Sequence, residues 1–246
     1  MQGIHKLDRK LRNNLFQVAS VKNRGGVNMK TAIVFDMDGT LFQTNLLLEQ
    51  ALDATFEKMR VQNLWQGETP IDIYRAIMGV SLPVVWATLC PNHSQQLRKQ
   101  SNEWFQEQLI VMIRERKGAL YEGVEETLQQ LAQHYPLYIA SNGQTDYLQA
   151  IVEIYQLQRF IKNVYSIDLI ESGNKSELVK HVLEENQVEH GFVVGDRLSD
   201  FQAAKDNGLQ SIGVHFDFAQ LQELAEADEV IHSFSQLLQL IPIKKS

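Results

Sequence analysis

One cysteine, Cys90, stands among the 246 residues. With no second thiol the chain cannot close an intramolecular disulfide, and it has no partners for a cysteine-built zinc site. Cys90 therefore reads as a buried thiol, and the missing disulfides fit a reducing cytoplasm, the expected location. Long apolar runs are missing too. The longest, near 82–90 and 109–113, fall far short of the ~20 residues that a membrane-spanning helix requires, so no membrane partner is expected. Positive charge is outweighed: 23 Lys and Arg face 30 Asp and Glu, a net charge of −7. That argues against nucleic acid as a partner, because phosphate backbones recruit basic surfaces. It does not exclude small phosphorylated ligands, since a metal ion can neutralise a local site. Internal repeats and low-complexity tracts are also absent from the sequence.

What is present is 44% hydrophobic and 22% charged residues, the balance of an ordinary globular protein and not of a disordered chain. The length suits one large domain, or a core domain with a smaller insert. Residues 1–28 stand apart as a basic leader (Lys6, Arg9, Lys10, Arg12, Lys22, Arg24) ending in Arg24-Gly25-Gly26. Its scattered Leu7, Leu11, Leu15 and Phe16 fit one face of a short helix and do not make a signal peptide. The leader reads as disordered, or as a non-native extension if translation begins at Met29.

Thr31–Phe35 is a short run of strand formers that stops at Asp36. Pro136–Ala140, Phe192–Gly195 and Ser211–His215 read alike, with weaker strands at Asn163–Ile167 and Glu229–His232. Helical patterns lie between them at Glu125–Gln133, Tyr147–Tyr155, Ser176–Glu185 and Phe201–Asn207, the last followed by Gly208 as a C-cap. Strands alternating with helices imply βαβ units and a mostly parallel sheet. Residues 45–117 break the alternation, with helical patterns and all three tryptophans, Trp65, Trp86 and Trp104. This predicts a helical insert after the first strand, with the tryptophans packing its interior. The expected division is a core of 29–44 and 118–246 around a helical cap of 45–117. His93, His134, His181 and His190 are expected to face solvent, and His215 to serve structure.

In open parallel sheets, ligands bind at the C-terminal ends of the strands near a switch in strand order. Past the first strand stands Asp36-Met37-Asp38-Gly39-Thr40; past Pro136–Ala140, Ser141-Asn142-Gly143; past Phe192–Gly195, Asp196, with Asp200 soon after. An extended backbone puts Asp36 and Asp38 on one side, and such paired carboxylates suit a divalent cation. Magnesium takes oxygen ligands and commonly binds one or two carboxylates with a substrate phosphate. A carboxylate can also attack phosphorus, while a second one protonates the leaving alcohol and later deprotonates water. Ser141 and neighbouring backbone N–H groups can bond phosphate oxygens. Lys175 is the best-placed lysine to supply positive charge, with Lys180 and Lys162 as alternatives. In the insert, Arg75, Met78 and Gly79 are candidates for a specificity loop, Arg75 being able to meet a second anionic group.

DMDGT at Asp36–Thr40, IASN at Ile139–Asn142, Lys175, and VVGDRLSD at Val193–Asp200 together resemble the haloacid dehalogenase-like hydrolase superfamily, in its phosphoglycolate phosphatase-like branch. The resemblance implies a Rossmann-like, doubly wound α/β core with an inserted α-helical cap. It implies Asp36 as nucleophile, Asp38 as acid/base, and Ser141, Asn142 and Lys175 as phosphate-binding residues. It further implies Asp36, the Asp38 main-chain carbonyl, Asp196 and Asp200 around Mg2+, Asp200 directly or through water. Asp38 is the acid that dehalogenases of the superfamily lack, which favours phosphate chemistry. The expected function is a Mg2+-dependent phosphatase acting on a small phosphorylated metabolite through an aspartyl-phosphate, as a monomer or homodimer. The alternatives are a phosphomutase of the β-phosphoglucomutase type and a non-catalytic phosphometabolite-binding module.

Overall fold

Val34 and its apolar neighbours form β1 (Lys30–Phe35) in a computed structural model that describes residues 30–77 and 80–243. The expectations for residues 1–28, and for Met78 and Gly79, lie outside the described residues. After β1 the chain turns through Asp36–Thr40 into four helices: α1 (Asn45–Val61), α2 (Ile71–Ala76), α3 (Leu82–Leu89) and α4 (Gln95–Arg114). The Ser94 hydroxyl caps α4 by accepting from Leu97 N–H at 3.2 Å. Trp86 lies between Phe56 and Phe105, Trp65 meets Phe56 edge-on, and Trp104 is buried. The tryptophans thus pack the interior of this segment, as their position in the sequence implied.

Two short stretches carry the chain into and out of these helices side by side. Gln43 N–H donates to Ala119 at 2.9 Å, Gln43 Nε2 to Leu120 at 2.7 Å, and Tyr121 N–H to Leu41 at 3.0 Å. Beyond them follow α5 (Val124–Leu131), β2 (Leu137–Ser141), α6 (Thr145–Ile154) and β3 (Ile161–Ser166). Then come α7 (Lys175–Asn186), β4 (Val188–Gly195), α8 (Leu198–Asp206) and β5 (Gln210–Val214). The described residues close with α9 (Leu221–Leu224), β6 (Glu229–Ile231) and α10 (Leu237–Leu240).

The strands form one six-stranded sheet in the order β3-β2-β1-β4-β5-β6, every pairing parallel. Successive strand residues point to opposite faces. Ile33, Phe35, Leu137, Ile139 and Val194 enter one core, with Leu128 of α5, Ile151 of α6 and Leu237 of α10. Ala32, Val34, Tyr138, Ala140 and Val193 enter the other, with Leu178 and Val182 of α7 and Ala203 of α8. Helices on both faces make the core doubly wound and Rossmann-like. Each Val, Leu, Ile or Phe among them, fully buried, contributes about 1.5–3 kcal/mol, and with both faces covered the central strands read as unbroken apolar runs.

Three expectations need correction. β4 begins well before Phe192, at Val188. Glu189 and His190 disguise its first half, which exists because it pairs with Lys30 and Thr31 at the start of β1. His93 does not face solvent: it is half-buried, with Nε2 at 2.9 Å from the Leu64 carbonyl and its ring edge-on to Trp65. His190 is likewise half-buried in β4. Among the described residues, no helix is long and apolar enough to cross a membrane.

Candidate active site

β1 is the strand at which the sheet order reverses, with β2 on one side and β4 on the other. A crevice opens at the C-terminal ends of β1 and β4. Asp36 extends β1 by donating its N–H to Val194 of β4 at 2.9 Å. Asp196 follows β4 directly, and Asp200 reaches the same point from the first turn of α8. Oxygens of Asp36, Asp196 and Asp200 lie within 4.8 Å of one another, and all three residues are buried. Lys175, the first residue of α7, brings Nζ to 2.7 Å from Asp36 Oδ1 and 2.5 Å from Asp200 Oδ1. Asn174 sets that helix start by accepting from Ser176 N–H at 2.7 Å.

Two glycines make the convergence possible. Gly39 has φ +72°, and a Cβ there would sit 2.5 Å from Asp196 Oδ2. A Cβ on Gly195 would sit 2.1 Å from Asp200 Cγ. Asp200 also serves its own helix: Oδ2 accepts from Arg197 N–H at 3.0 Å, which leaves Oδ1 facing the site. One side chain therefore both caps its own helix and faces the site.

Asp38 is turned away from this trio. Its Oδ1 accepts from Tyr147 OH of α6 at 2.5 Å and from the Thr44 hydroxyl just before α1. Burial, then the charge of Asp36, raises the Asp38 carboxyl to about 6, against the pull of Thr44, Tyr147 and Lys175. Burial and the nearby Asp38 hold the Tyr147 phenol well above its usual range, so it remains a donor. Burial also raises Asp200 to about 6, with Lys175 opposing and Asp36 adding. Asp196 is raised by burial, then by Asp36 and Asp200. For Lys175, burial disfavours the charge, but Asp200 and Asp36 more than offset it and raise its pKa.

The trio is able to bind a metal ion. All donors are carboxylate oxygens, the set that hard divalent cations select. Asp36 Oδ1 and Asp200 Oδ1 are buried without a directed hydrogen bond and have the Lys175 ammonium as ion-pair partner. Three carboxylates against one ammonium leave a surplus of negative charge that a divalent ion would balance.

A cavity of 110 Å³ opens from the trio, several times the roughly 10–15 Å³ that one water needs, and Asp36, Asp38, Ser141, Asn142, Lys175 and Asp196 all line it. Gly143 N–H donates to Ser141 Oγ at 3.1 Å and Ser166 Oγ to the Gly143 carbonyl at 2.7 Å, fixing the turn that carries Ser141 and Asn142. The alternatives to Lys175 are elsewhere: Lys162 is exposed on β3, and exposed Lys180 pairs with Glu184. Arg75 is not brought to the cavity. It lines a neighbouring cleft and pairs with Glu49 and Asp72. Thr44, Tyr147, Tyr74 and Gln106 also line the cavity, and nothing in their sequence context singled them out. A phenol on the apolar face of α6 was the one available signal for Tyr147.

The helical segment meets the core beside this turn. Asn102 of α4 donates from Nδ2 to Gln144 Oε1 at 3.0 Å, and its Oδ1 accepts from Trp86 Nε1 at 2.9 Å.

Known proteins resemble the chain in sequence and in fold. The family model described as haloacid dehalogenase-like hydrolase matches residues 33–214. A pyrophosphatase PpaX from Listeria welshimeri is 26% identical over 218 residues, covering 86% of this chain and 96% of that protein. A phosphoglycolate phosphatase from Vibrio vulnificus is 26% identical over 223 residues, covering 85% and 95%. The structure of CbbY from Rhodobacter sphaeroides in complex with phosphate superposes with a TM-score of 0.74 at 21% identity, covering 87% of this chain and 99% of that one. With the family model spanning most of the chain, the chain belongs to the haloacid dehalogenase-like hydrolase family, as a hydrolase of the phosphatase kind.

Proposed function

We propose that this enzyme is a magnesium-dependent phosphomonoesterase that works through an aspartyl-phosphate on Asp36. The observation that carries the reading is the convergence of Asp36, Asp196 and Asp200 within 4.8 Å beside the Lys175 ammonium, with Asp38 held apart by Thr44 and Tyr147. Asp36, Asp196 and Asp200 would hold the Mg2+, with the Asp38 main-chain carbonyl as a further ligand. The ion supplies charge neutralisation for the phosphoryl oxygens.

The chain's own residues do the rest. Lys175, Ser141 and Asn142 bind phosphate oxygens and orient the ester. An Asp36 oxygen forms a bond to phosphorus as the bond from phosphorus to the ester oxygen breaks. Asp38, near its raised pKa of about 6, gives its proton to the departing alkoxide. The resulting Asp38 carboxylate then takes a proton from water as that water attacks phosphorus, which frees Asp36 and releases phosphate. The segment 45–117 acts as a cap over the cavity, closing against water for the first step and readmitting it for the second.

The test is phosphate release from an aryl phosphate and a panel of phosphorylated metabolites, with Mg2+ and with chelator, using Asp36→Asn as control. Release that requires both Mg2+ and Asp36 is expected. Isomerised sugar phosphate without free phosphate would instead identify a mutase. Tight ligand binding without any product would identify a binding module.

A further inference from the structure

The cavity has two unlike walls. Its charged lining residues, among those described, are Asp36, Asp38, Lys175, Asp196 and Arg197, all outside the helical segment. Lys175 pairs with Asp36 and Asp200 and, on the reading above, is occupied by the phosphoryl group that is transferred. Arg197 is committed to Glu223 through two bonds of 2.8 and 3.1 Å. The opposite wall comes from α1–α4 and is built of Leu48, Tyr74, Leu82, Val85, Phe105 and Leu109, with Gln106 between the last two. Among the described residues, that wall contributes no cation. Arg75 lies in the neighbouring cleft with its own acidic partners, and Arg98 and Lys99 line a separate groove, Arg98 bonding the carbonyls of Cys90 and Pro91.

The polar groups on that wall are neutral: the Tyr74 phenol and the Gln106 amide. Burial and the nearby Asp38 raise the Tyr74 pKa, so the phenol keeps its proton. Gln106 Oε1 is buried and has no hydrogen-bond partner. A buried acceptor without a partner is costly unless a ligand supplies one. By turning half a revolution about χ3 the amide offers either C=O or NH2, and a hydroxyl satisfies both.

Phosphate bound at Lys175 directs the ester's other half toward this wall. We propose that this other half is an uncharged, compact alcohol with a hydroxyl for Gln106, so that the substrate is a small neutral-alcohol phosphate monoester. This rests on the phosphatase reading above. A carboxylate or second phosphate on the leaving group would be desolvated against Leu82, Val85, Phe105 and Leu109 with no cation to meet it. Phosphocarboxylates, bisphosphates and pyrophosphate are therefore poor substrates, in contrast to what the names of the pyrophosphatase and phosphoglycolate phosphatase relatives describe for those proteins.

The experiment uses the full-length Mg2+-loaded protein and two esters of matched size, 2-hydroxyethyl phosphate and phosphoglycolate, with ethyl phosphate and pyrophosphate beside them. The expected kcat/KM for 2-hydroxyethyl phosphate exceeds that for phosphoglycolate and pyrophosphate by about tenfold or more. Gln106→Leu raises KM for 2-hydroxyethyl phosphate and narrows its advantage over ethyl phosphate. Gln106→Lys, which adds the missing cation, lowers KM for phosphoglycolate. Thermal melts of both variants check that they fold. Phosphoglycolate or pyrophosphate cleaved as well as 2-hydroxyethyl phosphate, with Mg2+ and Asp36 still required, would overturn the inference and leave the phosphatase reading standing. A Gln106→Leu variant with the wild-type KM for every ester would overturn the part given to Gln106. Folded, Mg2+-loaded protein that releases phosphate from no ester would overturn the phosphatase reading and the inference together.

Discussion

Replacing Lys175 with methionine tests the electrostatics of the site directly. The Lys175 side chain is 4% exposed, and its partners Asp36 and Asp200 are 9% and 0% exposed. Methionine keeps the unbranched bulk of the stem and removes the ammonium. Two buried carboxylates then lose the cation between them while Asp196 adds a third negative charge nearby. Removing one partner of a buried pair costs about 3–5 kcal/mol. At about 2–4 °C per kcal/mol for a protein of this size, Lys175→Met lowers the melting temperature by roughly 6–20 °C. The assay is thermal unfolding by circular dichroism in chelator at pH 8, with Lys180→Met as the control. Lys180 is 64% exposed and pairs with Glu184 on its own helix, so that variant stays within about 0.5 kcal/mol of wild type. Mg2+ stabilises Lys175→Met more than wild type, because the ion meets more uncompensated charge. Phosphate release falls by at least about a hundredfold. A Lys175→Met protein that melts in chelator at the wild-type temperature would refute the reasoning, since the trio would then not need the ammonium.

Tyr147→Phe deletes a 2.5 Å donor to Asp38, a charge-assisted bond of about 1.5–3 kcal/mol. It slows kcat by about 10–100-fold on alkyl esters, which need protonation of the leaving group, and less on aryl esters; equal slowing on both would contradict the role given to Asp38. Gly195→Ala drives a Cβ to within 2.1 Å of Asp200 Cγ, so the displaced carboxylate costs the protein its thermal stabilisation by Mg2+. An undiminished Mg2+ response in that variant would count against Asp200 as a ligand. In chelator, the folded carboxyls of Asp38 and Asp200 lie at about 6 against 3.8 unfolded. The folded state thus binds more protons between those values, and the stability these groups contribute is full below 3.8 and lost as pH rises to about 6. Melts across that window should show the decline, and Asp200→Asn should flatten it; a wild-type decline that Asp200→Asn leaves unchanged would remove Asp200 as its source.

The parallel core was legible because both faces of its strands are covered. Ile33 and Val34 both read as apolar although they serve opposite cores. The acidic trio was legible because each member stands immediately past a strand or in the first turn of the next helix. Position within a helix said much less. Gln106 and Gln108 look alike in the sequence, yet Gln106 carries a buried, unpartnered oxygen in the cavity wall. Tyr147 reads as a core aromatic until its hydroxyl is seen on Asp38, 109 residues away. Arg75 was a reasonable anion binder on charge alone, but Glu49 of α1 reaches it, and pairing between helices has no local signature. The first half of β4 was hidden for the same reason, its strand character coming from the start of β1.

The place of β1 in the middle of the sheet governs when the site comes into being. Thr40, in the turn after β1, touches Asp196 across 156 residues, and β1 pairs with β2 only after the whole helical segment has been made. Pairings across such separations close late and slowly. On a growing chain the N-terminal part emerges first, so β1 waits with its apolar residues unpaired until β2 and then β4 arrive. Until then its acidic turn is one isolated pair of carboxylates, with neither Asp196 nor Lys175 beside it. On the proposed reading, a divalent ion could bind only near the end of folding, and would stabilise the finished protein without hastening its assembly.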